Sequence, residues 1–260
     1  MKIKAIKAFN DNYIWALINE SNKTVTLVDP GDAEVCLKFL ADNQLSLVSL
    51  LITHNHWDHT EGIPVLSQHC AKLGHALTVY GPNTPKIPTV THPVTQDDIV
   101  ELSHLDVSLQ VLSLPGHTLD HIGYLTDDLL FCGDTLFSAG CGRLFDGTLK
   151  QMHQSLNKLK QLPGTTKVYC THEYTLANLN FALSVEPNNR AMVDYYNQVV
   201  TLRQQNKSTI PTNIAQELKI NPFLRCGENE IKQSAQEYVG QQLLTELEVF
   251  TAIRLWKDNF

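Results

Sequence analysis

Read for the spacing of apolar and polar positions, the first two-thirds of the chain alternates short strands with helices. Residues 2–8, 13–18 and 24–28 carry strand-like apolar runs, the third stopping at Asp29-Pro30-Gly31. Residues 33–43 place Cys36, Phe39 and Leu40 on one helical face, and 62–74 predicts a second helix. Between them, residues 45–52 are mostly apolar and predict a buried strand. A strand over 77–80 ends at Gly81-Pro82, and a strand pair is expected within 97–114. Met152, Leu156 and Leu159 mark a helix over 149–162, which Pro163-Gly164 ends.

The pattern changes near Glu173, where helical spacing takes over. It covers 175–184, then 190–206 with Met192, Tyr195, Tyr196, Val199 and Leu202 in register. A short helix over 213–218 is closed by Asn221-Pro222, and one or two more run from 228 to the end. The expected organisation is a mixed α/β domain over 1–173 followed by a helical domain over 174–260. No stretch approaches the ~20 apolar residues of a membrane span, and the run at 13–18 is too short for the apolar centre of a secretory signal.

Composition narrows the classes. With 43% hydrophobic and 18% charged residues in 260, the chain is an ordinary soluble globular protein. A net charge of −7 argues against broad binding to nucleic acid or to an anionic membrane, both of which need basic surface. The six cysteines form no C-x-x-C pair, so a thiolate zinc ribbon is not supported. Cys132 and Cys170 fall inside apolar strands, where buried thiols are common, and the setting expected is reducing and cytoplasmic.

The chemistry is concentrated directly after the strand at 45–52. There the chain reads Thr53-His54-Asn55-His56-Trp57-Asp58-His59-Thr60. Neutral imidazole and carboxylate are ligands for divalent transition metals, and no ordinary core needs imidazole at that density. Three further strands deliver a candidate ligand at their ends: residues 108–114 before Gly116-His117, 129–132 before Gly133-Asp134, and 167–170 before Thr171-His172. Ligands at strand ends are held by a rigid frame. The pool is then His54, His56, Asp58, His59, His117, Asp134 and His172. That is more than one catalytic zinc takes and suits two ions sharing a carboxylate. His121 reads equally as a partner orienting a ligand and as a polar residue at a helix start. His69, His75, His92, His104 and His153 are expected on the surface or in loops.

These four segments, in this order, resemble the metallo-β-lactamase superfamily, whose fold is a four-layered αβ/βα sandwich with metals at one edge between two sheets. A closer resemblance, over nearly the whole chain, is to the glyoxalase II family of hydroxyacylglutathione hydrolases. It is carried by Phe9-Asn10-Asp11-Asn12-Tyr13, Pro115-Gly116-His117-Thr118, Phe137 through Arg143, His172-Glu173-Tyr174, Glu186-Pro187-Asn188, Asn221 through Arg225, and Arg254-x-x-Lys257. The resemblance implies an α/β sandwich with a C-terminal helical domain and two divalent ions, zinc first, with iron or manganese as alternatives. By position, His54, His56 and His117 would hold one ion, Asp58, His59 and His172 the other, and Asp134 would be shared. Asp58, with His54, His56, His59 and Asp134, would also form the catalytic set.

Arg143, Phe145, Tyr174, Arg254 and Lys257 would bind the substrate, a glutathione thioester, and Arg225 would tie the helices to the core. The implied reaction is hydrolysis of S-D-lactoylglutathione to D-lactate and glutathione, the second step of methylglyoxal detoxification, by a monomer needing neither nucleic acid nor membrane. The attacking hydroxide would be generated at the metals. The thiolate leaves without strong need of an acid, since thiol pKa values lie near ~8.5.

Two positions depart from the pattern. Some members carry Lys and Tyr where this chain has Arg143 and Phe145: Arg keeps the cation, Phe lacks the hydroxyl. Glu61 stands where the family usually has Gly, and is expected to face solvent.

Three other readings compete with this one. Another hydrolase of the superfamily would lack the helical tail with its terminal basic pair. A one-iron persulfide dioxygenase would use fewer of the ligands, with an open facial site. A non-catalytic metal-stabilised module would have no need of all seven.

Overall fold

Strands β1 (Lys2–Ala8), β2 (Asn12–Asn19) and β3 (Thr24–Val28) form an antiparallel meander whose middle strand is buried along almost its whole length. All 260 residues are described in the computed structural model, and they fall into two compact units. The first is Met1–Ser113 with Asp120–Gly133; the second is Leu114–Leu119 with Asp134–Phe260.

In the first unit the chain leaves β3 through helix α1 (Ala33–Asn43), whose N-cap Asp32 accepts from the backbone N–H groups of Glu34 and Val35. Strand β4 (Ser46–Leu51) then pairs parallel with β3. Helix α2 (Trp57–Thr60), a single turn, and α3 (Ile63–Lys72) lead to β5 (Thr78–Pro82) and β6 (His92–Val94), which extend the parallel half of the sheet. One face of this sheet packs against α1 and α3 through Leu27, Leu50 and Ile52 with Cys36, Leu66 and Cys70. The second sheet of the unit is antiparallel: β7 (Ile99–Leu102), β8 (Val107–Ser113), β9 (Ile122–Leu125) and β10 (Leu129–Gly133). The fully buried Tyr124 hydroxyl on β9 donates to the Ile52 carbonyl at 2.9 Å, fixing this sheet beside the end of β4.

The second unit opens with a two-stranded ribbon, β11 (Leu136–Phe137) and β12 (Gly140–Cys141). Helix α4 (Leu149–Lys160) follows, closed at its start by a Thr148–Gln151 capping box. Strand β13 (Lys167–Cys170) pairs with β14 (Thr212–Asn213). Between them lie α5 (Thr175–Val185) and α6 (Arg190–Gln204), and after them α7 (Ile214–Ile220), a 3-10 turn at Pro222–Leu224, α8 (Asn229–Val239) and α9 (Glu246–Asp258). Arg225 forks onto the buried Glu186 carboxylate, at 3.2 Å from Nε and 2.5 Å from Nη2, and its Nη1 donates to Leu218 O. It therefore ties helices to one another, where the sequence implied a tie between the helices and the core.

The elements expected from periodicity are present, and the two segments after 228 are separate helices. The short strands at 92–94, 122–125, 136–137, 140–141 and 212–213 and the one-turn α2 carry too few residues to show a period. All six cysteines are buried and none is in a disulfide. No helix is long and apolar enough to cross a membrane. His104 is half-buried in a turn, with Nε2 on Thr26 Oγ1 at 2.9 Å, and His75, in an exposed loop, reaches Leu47 O through Nε2 at 3.2 Å, so both keep the expected loop placement. His92 lies on β6 and His153 on α4.

Candidate metal centre

Each unit gathers its own group of predicted ligands. In the first, β4 runs out at Leu51 and the chain bends at Asn55 before His56, which is extended at φ −67°, ψ 149°. His54 and His56, on either side of that bend, meet with ring centroids 4.7 Å apart. The turn of α2 then folds the chain back. It brings His59 to 4.0 Å from the His54 ring, and its Nε2 to 3.4 Å from Asp58 Oδ2. A strand end alone could not present four ligands together; the helical turn supplies the second pair.

Asp29 holds this group in place. Its buried carboxylate accepts from Thr53 N at 2.8 Å and Thr53 Oγ1 at 2.7 Å, and His59 Nδ1 lies 3.0 Å away. A carboxylate partner at Nδ1 makes that nitrogen the donor and leaves Nε2 as the ligand atom. Asn12 Nδ2 donates to Asp58 Oδ2 at 2.9 Å, and Asn55 to both oxygens of Asp120 at 2.8 Å. His121 is fully buried and stacks on His54 at 4.7 Å and 19°. It stands just before β9, not at a helix start, with its ring against that of His54. Gly133, at φ +48°, closes the group: a Cβ there would sit 2.3 Å from Thr53 Oγ1. Glu61 is exposed, as expected.

In the second unit His117, Asp134 and His172 are all nearly buried. One oxygen, Asp134 Oδ2, lies 3.5 Å from His117 Nε2 and 3.3 Å from His172 Nε2. His117 Nδ1 donates to the Arg143 carbonyl at 2.6 Å, and Phe145 N donates back to His117 O at 3.0 Å, which fixes the ring with Nε2 toward Asp134. His172 stacks face to face on Tyr174 at 4.6 Å and 5°. Glu173 between them anchors the segment, accepting from Thr209 N at 2.9 Å.

The predicted substrate residues also lie in the second unit. Phe145 is 64% exposed and sets its edge on His117 at 5.1 Å; the Arg143 side chain is likewise exposed. Arg254 and Lys257 are not a solvated helix face. Arg254 is 3% exposed, donating to Cys141 O at 3.1 Å and Asp258 Oδ1 at 2.9 Å. The half-buried Lys257 ammonium donates to Asn178 Oδ1, and desolvation, with Arg254 beside it, pulls its pKa down to about 8.

The donor set fits divalent ions. Two ligand atoms about 2.1 Å from one ion at a tetrahedral angle stand about 3.4 Å apart. The spacings of 3.4 Å for His59–Asp58 and of 3.3 and 3.5 Å about Asp134 match that. Imidazole with carboxylate, with His59 and His117 oriented through their Nδ1 atoms, is a divalent-metal donor set. The sequence suggests seven candidate ligands but not Asp29, although it too follows a strand end. Asp-Pro-Gly reads as a turn, and nothing in the spacing reveals that the carboxylate faces Thr53 and His59.

Comparison with known proteins gives the same picture. Residues 12–172 match the model of the metallo-β-lactamase superfamily, and residues 173–260 match that of the hydroxyacylglutathione hydrolase C-terminus. The chain is 52% identical to a hydroxyacylglutathione hydrolase of Shewanella baltica (strain OS155) and 49% identical to one of Aliivibrio fischeri (strain MJ11), each over the full length of both chains. Among solved structures it resembles ETHE1 from Myxococcus xanthus, with a TM-score of 0.66 at 24% identity over 99% of this chain and 98% of that one. It also resembles the BLEG-1 B3 metallo-β-lactamase, at 0.64 and 23% over 86% and 100%. At these identities the likeness shows the fold, the mixed α/β metallo-β-lactamase fold with a helical C-terminal region.

Proposed function

This chain belongs to the hydroxyacylglutathione hydrolase family of the metallo-β-lactamase superfamily, and from that premise we propose that it hydrolyses S-D-lactoylglutathione to D-lactate and glutathione at two divalent ions. The reading assigns His54, His56 and His117 to one ion, Asp58, His59 and His172 to the other, and Asp134 to both. Zinc is the first choice, and iron and manganese suit the same donors. The observation that supports it best is the single oxygen Asp134 Oδ2 set between the Nε2 atoms of His117 and His172, at 3.5 and 3.3 Å. Residues 1–173 carry the reaction and 174–260 the substrate, a division supported by the boundary between the two family models. The setting is the cytoplasm, and the working form a monomer.

Bound divalent ions supply hydroxide at neutral pH and a Lewis acid for the thioester carbonyl. The chain's own residues do the rest. Asn12 holds the Asp58 carboxylate in one orientation, and Asp29 holds His59. No cysteine or serine nucleophile is required. The leaving thiolate has a pKa of about 8.5, so it departs without a dedicated acid. Glutathione carries two carboxylates, and Arg143 and Lys257 are the cations offered to them. Arg254, buried behind, adds its charge and fixes Cys141. Phe145 and Tyr174, packed on ligand histidines, contribute flat apolar walls.

The test is a truncated thioester. S-D-lactoylcysteamine keeps the reacting bond and loses the glutathione ends, so kcat/KM is expected to fall at least ~10²-fold, since binding energy from remote groups is used at the reacting centre. Equal rates on both would contradict glutathione recognition. Lys257 adds a pH signature. Its charge is present below about pH 8 and lost above it, so kcat/KM falls as pH rises through about 8 while both substrate carboxylates stay ionised. Lys257→Arg, charged throughout, should flatten that limb. A limb that persists in this variant would assign it elsewhere.

A further inference from the structure

Asn221-Pro222-Phe223-Leu224-Arg225 belongs to no ligand or substrate contact above, yet it lies beside an unusual buried charge. Glu217 on α7 is fully buried and faces no cation. Its two oxygens take four hydrogen bonds: Oε1 from Ser138 Oγ at 3.0 Å and Thr212 Oγ1 at 2.7 Å, Oε2 from Ala139 N at 2.8 Å and Asn221 Nδ2 at 3.0 Å. Burying a carboxylate is costly unless donors surround it, so these contacts are what permit it there. Burial pushes its pKa up while the four donors draw it back.

Three of these partners lead to one place. Ser138 and Ala139 form the tip of the β11–β12 hairpin, and Ala139 sits there at φ +55°, a conformation costly for a residue with a Cβ. Asn221 also donates to the Phe137 and Gly140 carbonyls at 3.1 and 2.9 Å, and Asn178 to Ser138 O at 3.0 Å. The hairpin tip is thus held open by side chains of the helical segment. What the hairpin joins matters more: Asp134 lies two residues before it, and Arg143, whose carbonyl orients His117, two residues after.

We propose that Glu217 is a positioning residue for the metal ligands: with Asn221 it grips the β11–β12 hairpin, and so fixes Asp134 at one end and the Arg143 carbonyl behind His117 at the other. The helical segment then does more than hold substrate; it sets ligand geometry. The inference rests on the metal assignment proposed above.

The experiment compares metal affinity, read as zinc retained against a competing chelator, with kcat and thermal stability in four proteins. Glu217→Ala removes the grip and should lower zinc affinity ~10–100-fold, the range for residues that orient ligands, with kcat falling in parallel. Glu217→Gln should recover most of both, because the Ser138 and Thr212 hydroxyls can turn to accept from an amide while its oxygen keeps Ala139 and Asn221. Ile231→Ala, which opens a cavity in the fully buried side of α8 away from the hairpin, should lower stability but retain zinc as the parent does. If Glu217→Ala fails to fold, Asn221→Ser, which frees the Phe137 and Gly140 carbonyls, takes its place with the same expected loss. The proposal is overturned if the Glu217 or Asn221 variant holds zinc as tightly as the parent, or if Ile231→Ala loses it equally. A parent protein that binds no zinc would instead sink the metal assignment itself.

Discussion

Asp134→Ala is expected to lower kcat on S-D-lactoylglutathione by more than ~10³-fold and to leave the protein unable to hold its full complement of metal. The argument is geometric. Asp134 Oδ2 is within 3.5 Å of the outer nitrogens of both His117 and His172, so one truncation removes a ligand from the neighbourhood of each. Changes to residues that merely orient a ligand cost ~10–100-fold; loss of a shared ligand exceeds that. Asp134→Asn, which keeps shape and an acceptor oxygen but loses the charge, should lie between the two. Steady-state kinetics and metal analysis on the same preparation check this. A variant with two bound ions and kcat within ~10-fold of the parent would contradict the shared role.

Gly142→Ala is the second large effect, although no chemistry belongs to the residue. A Cβ at Gly142 would stand 2.0 Å from the Asp134 carbonyl oxygen and 3.1 Å from His117 Nδ1. Neither neighbour is the yielding end of a flexible side chain. The backbone between Asp134 and Arg143 must shift, and with it the carbonyl that holds His117. Overpacking of this kind costs ~1–3 kcal/mol of stability, and a misplacement near ~1 Å at a reacting centre costs ~10²-fold in rate. The expected result is a folded, less stable protein with kcat lowered ~10²-fold, measured by thermal unfolding and kinetics together. Unchanged kcat would mean that the Arg143 carbonyl does not set His117.

The candidate ligands were legible in the sequence because their segments follow apolar strands, and a strand that ends in a loop leaves a plain mark: a run of apolar residues, then Gly or Thr, then His or Asp. The helices were legible for a similar reason, since 190–206 repeats its apolar face over four turns. What escaped is what periodicity does not encode. Four residues of α2 cannot show a period, although this turn is what brings Asp58 and His59 back beside His54. Arg254 and Lys257, three apart on a terminal helix, carry in their spacing no sign that Arg254 is buried. Burial came from Phe223 and Cys141, which cover the Arg254 guanidinium and lie far away in the sequence. Glu217 falls in a short helix that the pattern did predict, but a single carboxylate in it reads as surface. Only the tertiary fold turns Ser138, Ala139, Thr212 and Asn221 toward it. Asp29 was hidden by its Pro-Gly neighbours, which announce a turn and not a partner for His59.

Compactness also divides the molecule differently from the change in sequence character near Glu173. Asp134 and residues 114–119 fall with the helices in one compact unit. Three ligands and all five candidate substrate residues therefore share a unit, and the ribbon at 136–141 is its link between metal chemistry and helical segment.

The most direct measurement is turnover of S-D-lactoylglutathione by metal-free protein titrated with zinc. Hydrolysis that rises with added zinc and levels off at about two equivalents per chain is the predicted result. Full activity at one equivalent, or hydrolysis by the metal-free protein, would contradict the two-ion account.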